Sequence, residues 1–186
     1  MTPRSPRSPP SEVHDDDTEG VPGGGARLVD PAERVQHARN LAWTALNRRE
    51  RTVAELARLL EGKRVEPAVI DEVVGELQEQ GYLDDAGYAQ RFADDRRRLD
   101  GWGPERIERR LRSLGIGGAE LEAALDRRDE RDELEAALAL LARRFPEPPA
   151  TPRDCQRALG VLVRKGYELE LAYDALRRHA GVGEFD

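Results

Sequence analysis

The sequence has 186 residues and a formal net charge of −7, with 38% apolar, 36% charged and 5% aromatic residues. This composition is polar for one thick globule and suits a row of small helical units better. The net charge excludes a uniformly basic protein that coats nucleic acid. A single cysteine, Cys155, excludes an intramolecular disulfide, and no apolar run reaches the roughly 20 residues of a membrane helix. We therefore expect a cytoplasmic protein without a membrane segment.

Residues 1–34 are predicted to form a disordered N-terminal tail. The segment combines several prolines with the acidic run Asp15-Asp16-Asp17 and the glycine run Gly23-Gly24-Gly25. It has too little apolar surface to offset the entropy lost on ordering. A tethering or regulatory role for this tail remains an open alternative.

Helical periodicity begins at Val35. A first helix is predicted from the apolar positions Leu41, Ala42, Ala45 and Leu46. Thr52 and Glu55 have the spacing of a capping box at the start of a second helix. Pro67 suits the first turn of a third helix, and Gly81 suits its C-terminal end.

The same plan returns twice. Gly101-Trp102-Gly103-Pro104 breaks the chain and begins a helix whose apolar face carries Ile107, Leu111 and Leu114. A third round begins near Leu134 and turns at Gly166-Tyr167. An offset of 51 residues relates four sets of apolar positions, which are Leu56/Ile107/Ala158, Leu60/Leu111/Leu162, Val65/Ile116/Tyr167 and Val74/Leu125/Leu176. This register predicts an all-α fold of three tandem three-helix repeats, with boundaries at 35–84, 85–133 and 134–186.

Charge alternates along these repeats. Residues 35–64 have a net charge of +4, residues 65–90 of −7, residues 91–112 of +3, residues 113–140 of −5 and residues 141–186 of +1. The third helix of the first repeat is therefore acidic, which disfavours a helix-turn-helix protein that reads DNA bases with that helix. Basic and acidic bands favour a protein partner of complementary charge, and direct contact with DNA through the basic bands remains open.

The candidate partner-binding residues lie in the basic bands and in one loop. They are Arg48, Arg49, Arg51, Arg96, Arg97, Arg98, Trp102, Arg106, Arg109 and Arg110. The plainer alternative for each arginine is a solvated helix face with partners four residues away, such as Glu108 for Arg112. Trp102 lies between two glycines and is predicted to be an exposed contact, since arginine and aromatic residues are frequent interface anchors.

Other aromatic and acidic residues are assigned structural roles. Tyr82, Tyr88 and Phe92 recur at helical spacing and are predicted to close the junction between repeats. Asp84 and Asp85 are interpreted as a helix cap. The three histidines are far apart in sequence, and no phosphate-binding glycine loop is present, so we predict no catalytic site, metal or cofactor.

Two ordered segments resemble the RecX family. One is Gly81-Tyr82-Leu83-Asp84-Asp85 with Tyr88-Ala89 and Phe92, and the other is Gly101-Trp102-Gly103-Pro104 with Arg106-Ile107, Leu111 and Leu114-Gly115-Ile116. Lys165-Gly166-Tyr167 fits a looser third unit, so the resemblance extends from Val35 to His179. The first repeat departs from it, since Gly62 precedes the turn position of Gly115 and Gly166, and a differently shaped turn is expected there.

The resemblance implies an elongated, curved monomer of three helical modules. It also implies a regulator that binds the filament of RecA, the bacterial recombinase, on DNA and limits its ATP hydrolysis, strand exchange and co-protease activity. A stand-alone helical DNA-binding module, contacting single- or double-stranded DNA, is the alternative function.

Overall fold

The computed structural model describes residues 30–126 and 129–181, and every regular element in these ranges is helical. The helices are α1 Pro31–Leu46, α2 Val53–Gly62, α3 Pro67–Glu79, α4 Asp85–Asp95, α5 Pro104–Ser113, α6 Gly118–Leu125, α7 Glu130–Arg144, α8 Pro152–Lys165 and α9 Leu169–His179. A π-helical turn, Arg96–Asp100, continues α4. The all-α prediction is confirmed.

Helix starts follow the local sequence. Thr52 caps α2 with a capping box, because its Oγ1 accepts the Glu55 N–H at 3.2 Å and the Thr52 N–H donates back to the Glu55 carboxylate. Pro67 and Pro104 occupy the first turns of α3 and α5. Asp84 caps α4 by accepting the Gly87 N–H at 2.9 Å. These predictions are confirmed because each depends only on neighbouring residues.

Three apolar cores follow one another along the chain. One lies within α1–α3, one within α4–α6 and one within α7–α9. The registered residues lie at their centres, since Leu56, Ile107 and Ala158 are all fully buried, as are Leu60, Leu111 and Leu162. The repeat of 51 residues is therefore a repeat of core positions.

Two predicted boundaries differ from the helix bounds. Helix α1 begins at Pro31, so residues 31–34 form a helical turn and do not belong to the predicted tail. The rest of that tail, 1–29, lies outside the described residues. The boundary drawn at 133/134 falls inside α7, which begins at Glu130 because the Asp129 side chain caps it.

The first junction joins the start of α2 to the second repeat. The Thr52 hydroxyl donates a 2.7 Å hydrogen bond to the Leu114 carbonyl at a fully buried position. The Val53 N–H donates to Asp85 Oδ1 at 2.9 Å, and Arg91 forms an ion pair with Glu50. Side chains therefore make most of the polar contacts at this junction.

The second junction joins the start of α5 to the turn after α8, at positions related to the first by the same offset of 51. Here two hydrogen bonds run from backbone to backbone, since the Gly103 N–H donates to Lys165 O at 2.8 Å and the Glu105 N–H to Gly166 O at 3.2 Å. A Cβ on Gly166 would lie 2.4 Å from Arg106 Cβ and 2.5 Å from its backbone nitrogen. Gly166, with φ +87°, is required both by its left-handed backbone and by this close approach.

The equivalent turn of the first repeat has the same left-handed conformation, and the expectation of a different shape was wrong. Arg64, with φ 63°, occupies the position that Gly115 and Gly166 take in the other repeats. At Gly115 a Cβ would lie 2.2 Å from Ala54 Cβ, across the first junction. Arg64 is exposed, and within residues 30–126 and 129–181 no earlier repeat packs on it, so a side chain fits there at the cost of a strained φ.

Candidate partner-binding surface

The loop between α1 and α2 positions the first predicted cluster, and the structure separates its three arginines. Arg49 forms a two-pronged pair with Glu55, at 3.0 and 2.9 Å, and this hydrogen bond lowers the pKa of the Glu55 carboxyl. Arg51 donates to Ala45 O at 3.3 Å. Arg48 is exposed and forms no ion pair within the described ranges. Of the three arginines, only Arg48 is exposed without an ion-pair or hydrogen-bond partner among the described residues.

The second predicted cluster is divided by the π-helical turn. Arg97 is buried, and its guanidinium donates 3.2 Å hydrogen bonds to the Ala124 and Leu125 carbonyls at the end of α6. Those carbonyls lack partners within their own helix, so Arg97 caps α6. This burial counts against the prediction that Arg97 contacts a partner. Successive residues point about 100° apart on a helix, so three adjacent arginines cannot share one face.

The flanking residues Arg96 and Arg98 are paired locally. Arg96 lies 2.5 Å from Asp100, and its guanidinium covers the rings of Phe92 and Trp102 at 5.3 and 5.7 Å. Arg98 is exposed and pairs with Asp95 at 3.3 Å. Exposed pairs of this kind contribute little to stability, so Arg98 can exchange its partner at small cost.

Trp102 is half-buried and packs on the second core, which corrects the prediction of an exposed contact. Its ring meets Phe92 edge-on at 6.1 Å, and Arg106 stacks on it at 4.2 Å. The flanking glycines allow the chain to turn the indole inward. The cation–π contact restrains the half-buried Arg106 guanidinium against the indole.

Tyr82 also departs from its predicted position. It is 55% exposed and meets Trp43 of its own repeat edge-on at 4.5 Å. Tyr88 and Phe92 are half-buried and stacked at 6.2 Å between centroids. Burial raises the pKa of the Tyr88 phenol. The charges of Glu55 and Glu50 raise it by smaller amounts, and the charge of Arg49 lowers it. Tyr88 therefore lies near the first junction.

Helix α5 carries three further predicted cations that lack a carboxylate partner among the described residues. Arg106, Arg109 and Arg110 form no ion pair with any carboxylate that the structure describes, whereas Arg112 on the same helix pairs with Glu108 at 2.8 Å. Arg106 donates to the Arg164 carbonyl at 2.9 Å, which places it at the second junction.

Four further cations reach the second junction, and sequence reasoning missed them. Arg143 and Arg144 lie in the last turn of α7, and Arg164 and Lys165 lie in the last turn of α8. Lys165 Nζ donates to Asp100 O at 2.5 Å. Burial lowers the pKa of Lys165, and the positive charges of Arg106, Arg144 and Arg143 lower it further. The negative charge of Asp100 acts in the opposite direction. We call Arg106, Arg143, Arg144, Arg164 and Lys165 the junction cations.

The third repeat exposes apolar side chains where the other repeats are polar or small. Val163, Leu169 and Tyr173 are 45%, 53% and 49% exposed. At the equivalent positions of the first and second repeats, Val163 corresponds to Glu61 and Arg112. Leu169 corresponds to Pro67 and Gly118, and Tyr173 corresponds to Asp71 and Glu122. Leu169 and Tyr173 are one turn apart on α9 and share a face. Such groups are typical of a surface that meets another protein.

Other chemistry has little support in the described part of the chain. No three histidine, cysteine, aspartate or glutamate side chains there are arranged to hold a metal ion. The half-buried Cys155 thiol lies 3.7 Å from Pro149 O, and His179 Nε2 lies 2.9 Å from Phe145 O. No helix in the described ranges combines the length and apolar character that crossing a bilayer needs.

Comparisons with known proteins identify the family. Models of the first and second three-helix domains of RecX match residues 38–77 and 84–125. A Regulatory protein RecX of Thermobifida fusca is 30% identical, with 87% of each chain covered. One of Stenotrophomonas maltophilia is 33% identical over 87% of this chain and 94% of its own. The chain belongs to the RecX family. A RecX from Lactobacillus salivarius shares the fold, with a TM-score of 0.70 at 21% identity over 81% of this chain and 99% of that structure.

Proposed function

We propose that this RecX-family chain is a non-enzymatic cytoplasmic regulator that binds the RecA–DNA filament and limits RecA's ATP hydrolysis, strand exchange and co-protease activity. The observation that carries the proposal is family membership, since relatives that align over most of their length are named Regulatory protein RecX. RecA is the partner that the resemblance implies, in DNA repair and recombination.

Two features of the surface support a macromolecular partner. The junction cations form no ion pair with described carboxylates, and Val163, Leu169 and Tyr173 expose apolar area on the third repeat. Cations fit an acidic or phosphate-bearing partner, and exposed apolar groups fit a protein. A filament of protein on DNA offers both chemistries.

The acidic third helix disfavours base readout by the first repeat. Glu72 and Glu76 of α3 lie with Arg39 of α1, and the Glu76 carboxylate holds the Arg39 guanidinium at 2.8 and 2.5 Å. This helix would bring carboxylates towards DNA phosphates. A regulator acting through RecA is therefore favoured over a stand-alone helix-turn-helix protein.

The test is a titration of the chain into RecA filaments on single-stranded DNA, with ATP hydrolysis and co-pelleting measured in the same samples. We expect co-pelleting and a dose-dependent fall in hydrolysis. Normal hydrolysis with no co-pelleting would contradict the proposal. DNA binding without any effect on RecA would favour the stand-alone module.

A further inference from the structure

The junction cations come from three helices, and the charges of Arg106, Arg143 and Arg144 act together on Lys165. The guanidinium of Arg164 lies one turn back on α8, beside Gly160. Arg143 and Arg144 end α7, Arg164 and Lys165 end α8, and Arg106 lies in the first turns of α5. The hydrogen bonds from Arg106 to Arg164 O and from Lys165 to Asp100 O hold these helix ends together. Three of the five, Arg143, Arg144 and Arg164, are exposed, so their guanidinium groups are available to a ligand.

Helix-end electrostatics explains the four cations in the last turns of α7 and α8, but it explains neither Arg106 at the start of α5 nor the approach of these charges to one another. A cation in the last turn of a helix is stabilised by the unpaired carbonyls there. Arg177 and Arg178 at the end of α9 show the ordinary arrangement, since both pair with Asp174, at 3.4 and 3.0 Å. The junction cations have no such carboxylate in the described ranges, and they repel one another. Asp100 is shared with Arg96, so the five cations keep an excess of positive charge, which is what a site for a polyanion requires.

Nearby acids do not neutralise the cluster. A cleft of about 390 Å³ between the π-helical turn and α7 is lined by Arg98, Arg143, Asp132 and Glu135. Glu135 pairs with Arg131 at 3.5 Å and Arg98 with Asp95 at 3.3 Å, and Asp100 pairs with Arg96 at 2.5 Å. Arg143 forms no ion pair with Asp132 or Glu135, the described acids of this cleft.

We propose that the second junction binds the phosphodiester backbone of DNA through Arg143, Arg144, Arg164 and Arg106. Exposed guanidinium groups suit phosphate oxygens because their planar donors bind two oxygens at once. The carbonyls of Asp100 and Arg164 hold Lys165 and Arg106 in place, so Lys165 is a positioning residue. The inference rests on the proposed function, because it assigns the DNA part of the filament to one surface of this chain.

The test compares the variant R143Q/R164Q with R177Q/R178Q. Both remove two exposed arginines from the last turns of helices, but the second pair is neutralised by Asp174. Affinity for an oligo-dT strand and for a duplex of the same length is measured by fluorescence anisotropy without RecA, over a range of salt. Helical content is checked by circular dichroism.

We expect R143Q/R164Q to weaken DNA binding about tenfold and to lower the salt dependence by about 0.7 for each phosphate of the single strand that the variant no longer neutralises. R177Q/R178Q is expected to bind like the unchanged chain, and R143K/R164K to recover most of the affinity. The duplex arm shows which DNA form binds better. Equal losses in the two glutamine variants, or no binding by the unchanged chain at low salt, would overturn the inference. A RecA ATPase titration that still shows inhibition would leave the proposed function standing in that case.

Discussion

The two junctions occupy equivalent positions of the repeat but are built from different groups. At the first, the Thr52 hydroxyl bonds to Leu114 O and the Asp85 carboxylate to Val53 N–H, while Glu50 pairs with Arg91. At the second, Gly103 replaces the threonine, and its N–H bonds directly to Lys165 O. The first junction therefore relies on side chains and includes an ion pair, whereas the second adds backbone-to-backbone bonds to the side-chain bonds of Arg106 and Lys165 and leaves its cations without carboxylate partners among the described residues.

This difference separates a structural role from a binding role. Residues committed to buried hydrogen bonds cannot also reach a partner, and Thr52 is fully buried. A backbone-to-backbone contact needs no side chain, so Arg143, Arg144 and Arg164 beside it remain exposed. Substitutions at the first junction should change stability, and substitutions of exposed cations at the second should change binding.

The largest expected effect on stability comes from G166A, which attacks the backbone contact of the second junction. Alanine would adopt an unfavourable φ and push its Cβ against Arg106, 2.4 Å away. G81A is the matched control, because Gly81 has φ +76° and no atom near the position of a Cβ. We expect G81A to lose about 1–2 kcal/mol and G166A at least about 3 kcal/mol in urea unfolding. Equal losses would show that the close approach contributes nothing.

The next largest effect on stability is expected from T52A, which changes the first junction. This change removes an N-cap and leaves the buried Leu114 carbonyl without its hydroxyl partner, which should cost about 2–3 kcal/mol. T151A is the control, since Thr151 caps α8 at an exposed position and bonds only to Asp154 within the same helix end. We expect T151A to cost about 1 kcal/mol or less. If the two variants unfold at the same urea concentration, the bond across the junction is not stabilising.

The smallest effect concerns the charge of Asp85. Burial raises the pKa of the Asp85 carboxyl, and the negative charges of Glu120, Asp84 and Glu55 raise it further. The hydrogen bond from the Val53 N–H acts in the opposite direction. Because the folded pKa is raised, the contribution of this group to stability is present at low pH and is lost as pH rises through that pKa. D85N keeps an acceptor for Val53 but cannot ionise.

We therefore expect D85N to be more stable than the unchanged chain at about pH 7, by less than about 1 kcal/mol, with a smaller difference near about pH 4. Thermal unfolding at the two pH values measures this, with D71N on the exposed face of α3 as the control for removing one negative charge. A D85N protein that is less stable at both pH values would mean that the ionised carboxylate stabilises the junction.

Local signals made much of the fold predictable. The Thr52–Glu55 capping box and Pro104 act within one turn, and the register of Leu56, Ile107 and Ala158 marks core positions without knowledge of neighbours. The left-handed Arg64 was missed because glycine is the usual residue there. Its tolerance depends on the open space around the exposed Arg64, which only the packing of the described helices reveals.

The candidate surface was predicted only in part for the same reason. Arg106 was identified from its basic band, but Arg97 caps a helix that lies 27 residues further along the chain. The charges of Arg106 on α5 and Arg143 on α7 both act on Lys165 of α8, yet a count of charge by segment gives residues 141–186 a net charge of only +1. Charge summed along the sequence hides cations that converge in space.

The two lysines of the sequence allow one direct test of the contrast between regions. Lys63 and Lys165 occupy equivalent turns of the first and third repeats, 102 residues apart, and only Lys165 lies at the second junction. Lysine acetylation followed by mass spectrometry, with and without an oligo-dT strand, reports on both sites in one sample. We predict that DNA slows acetylation of Lys165 and leaves Lys63 unchanged. Equal slowing at both lysines, or none at Lys165, would contradict a phosphate-binding second junction.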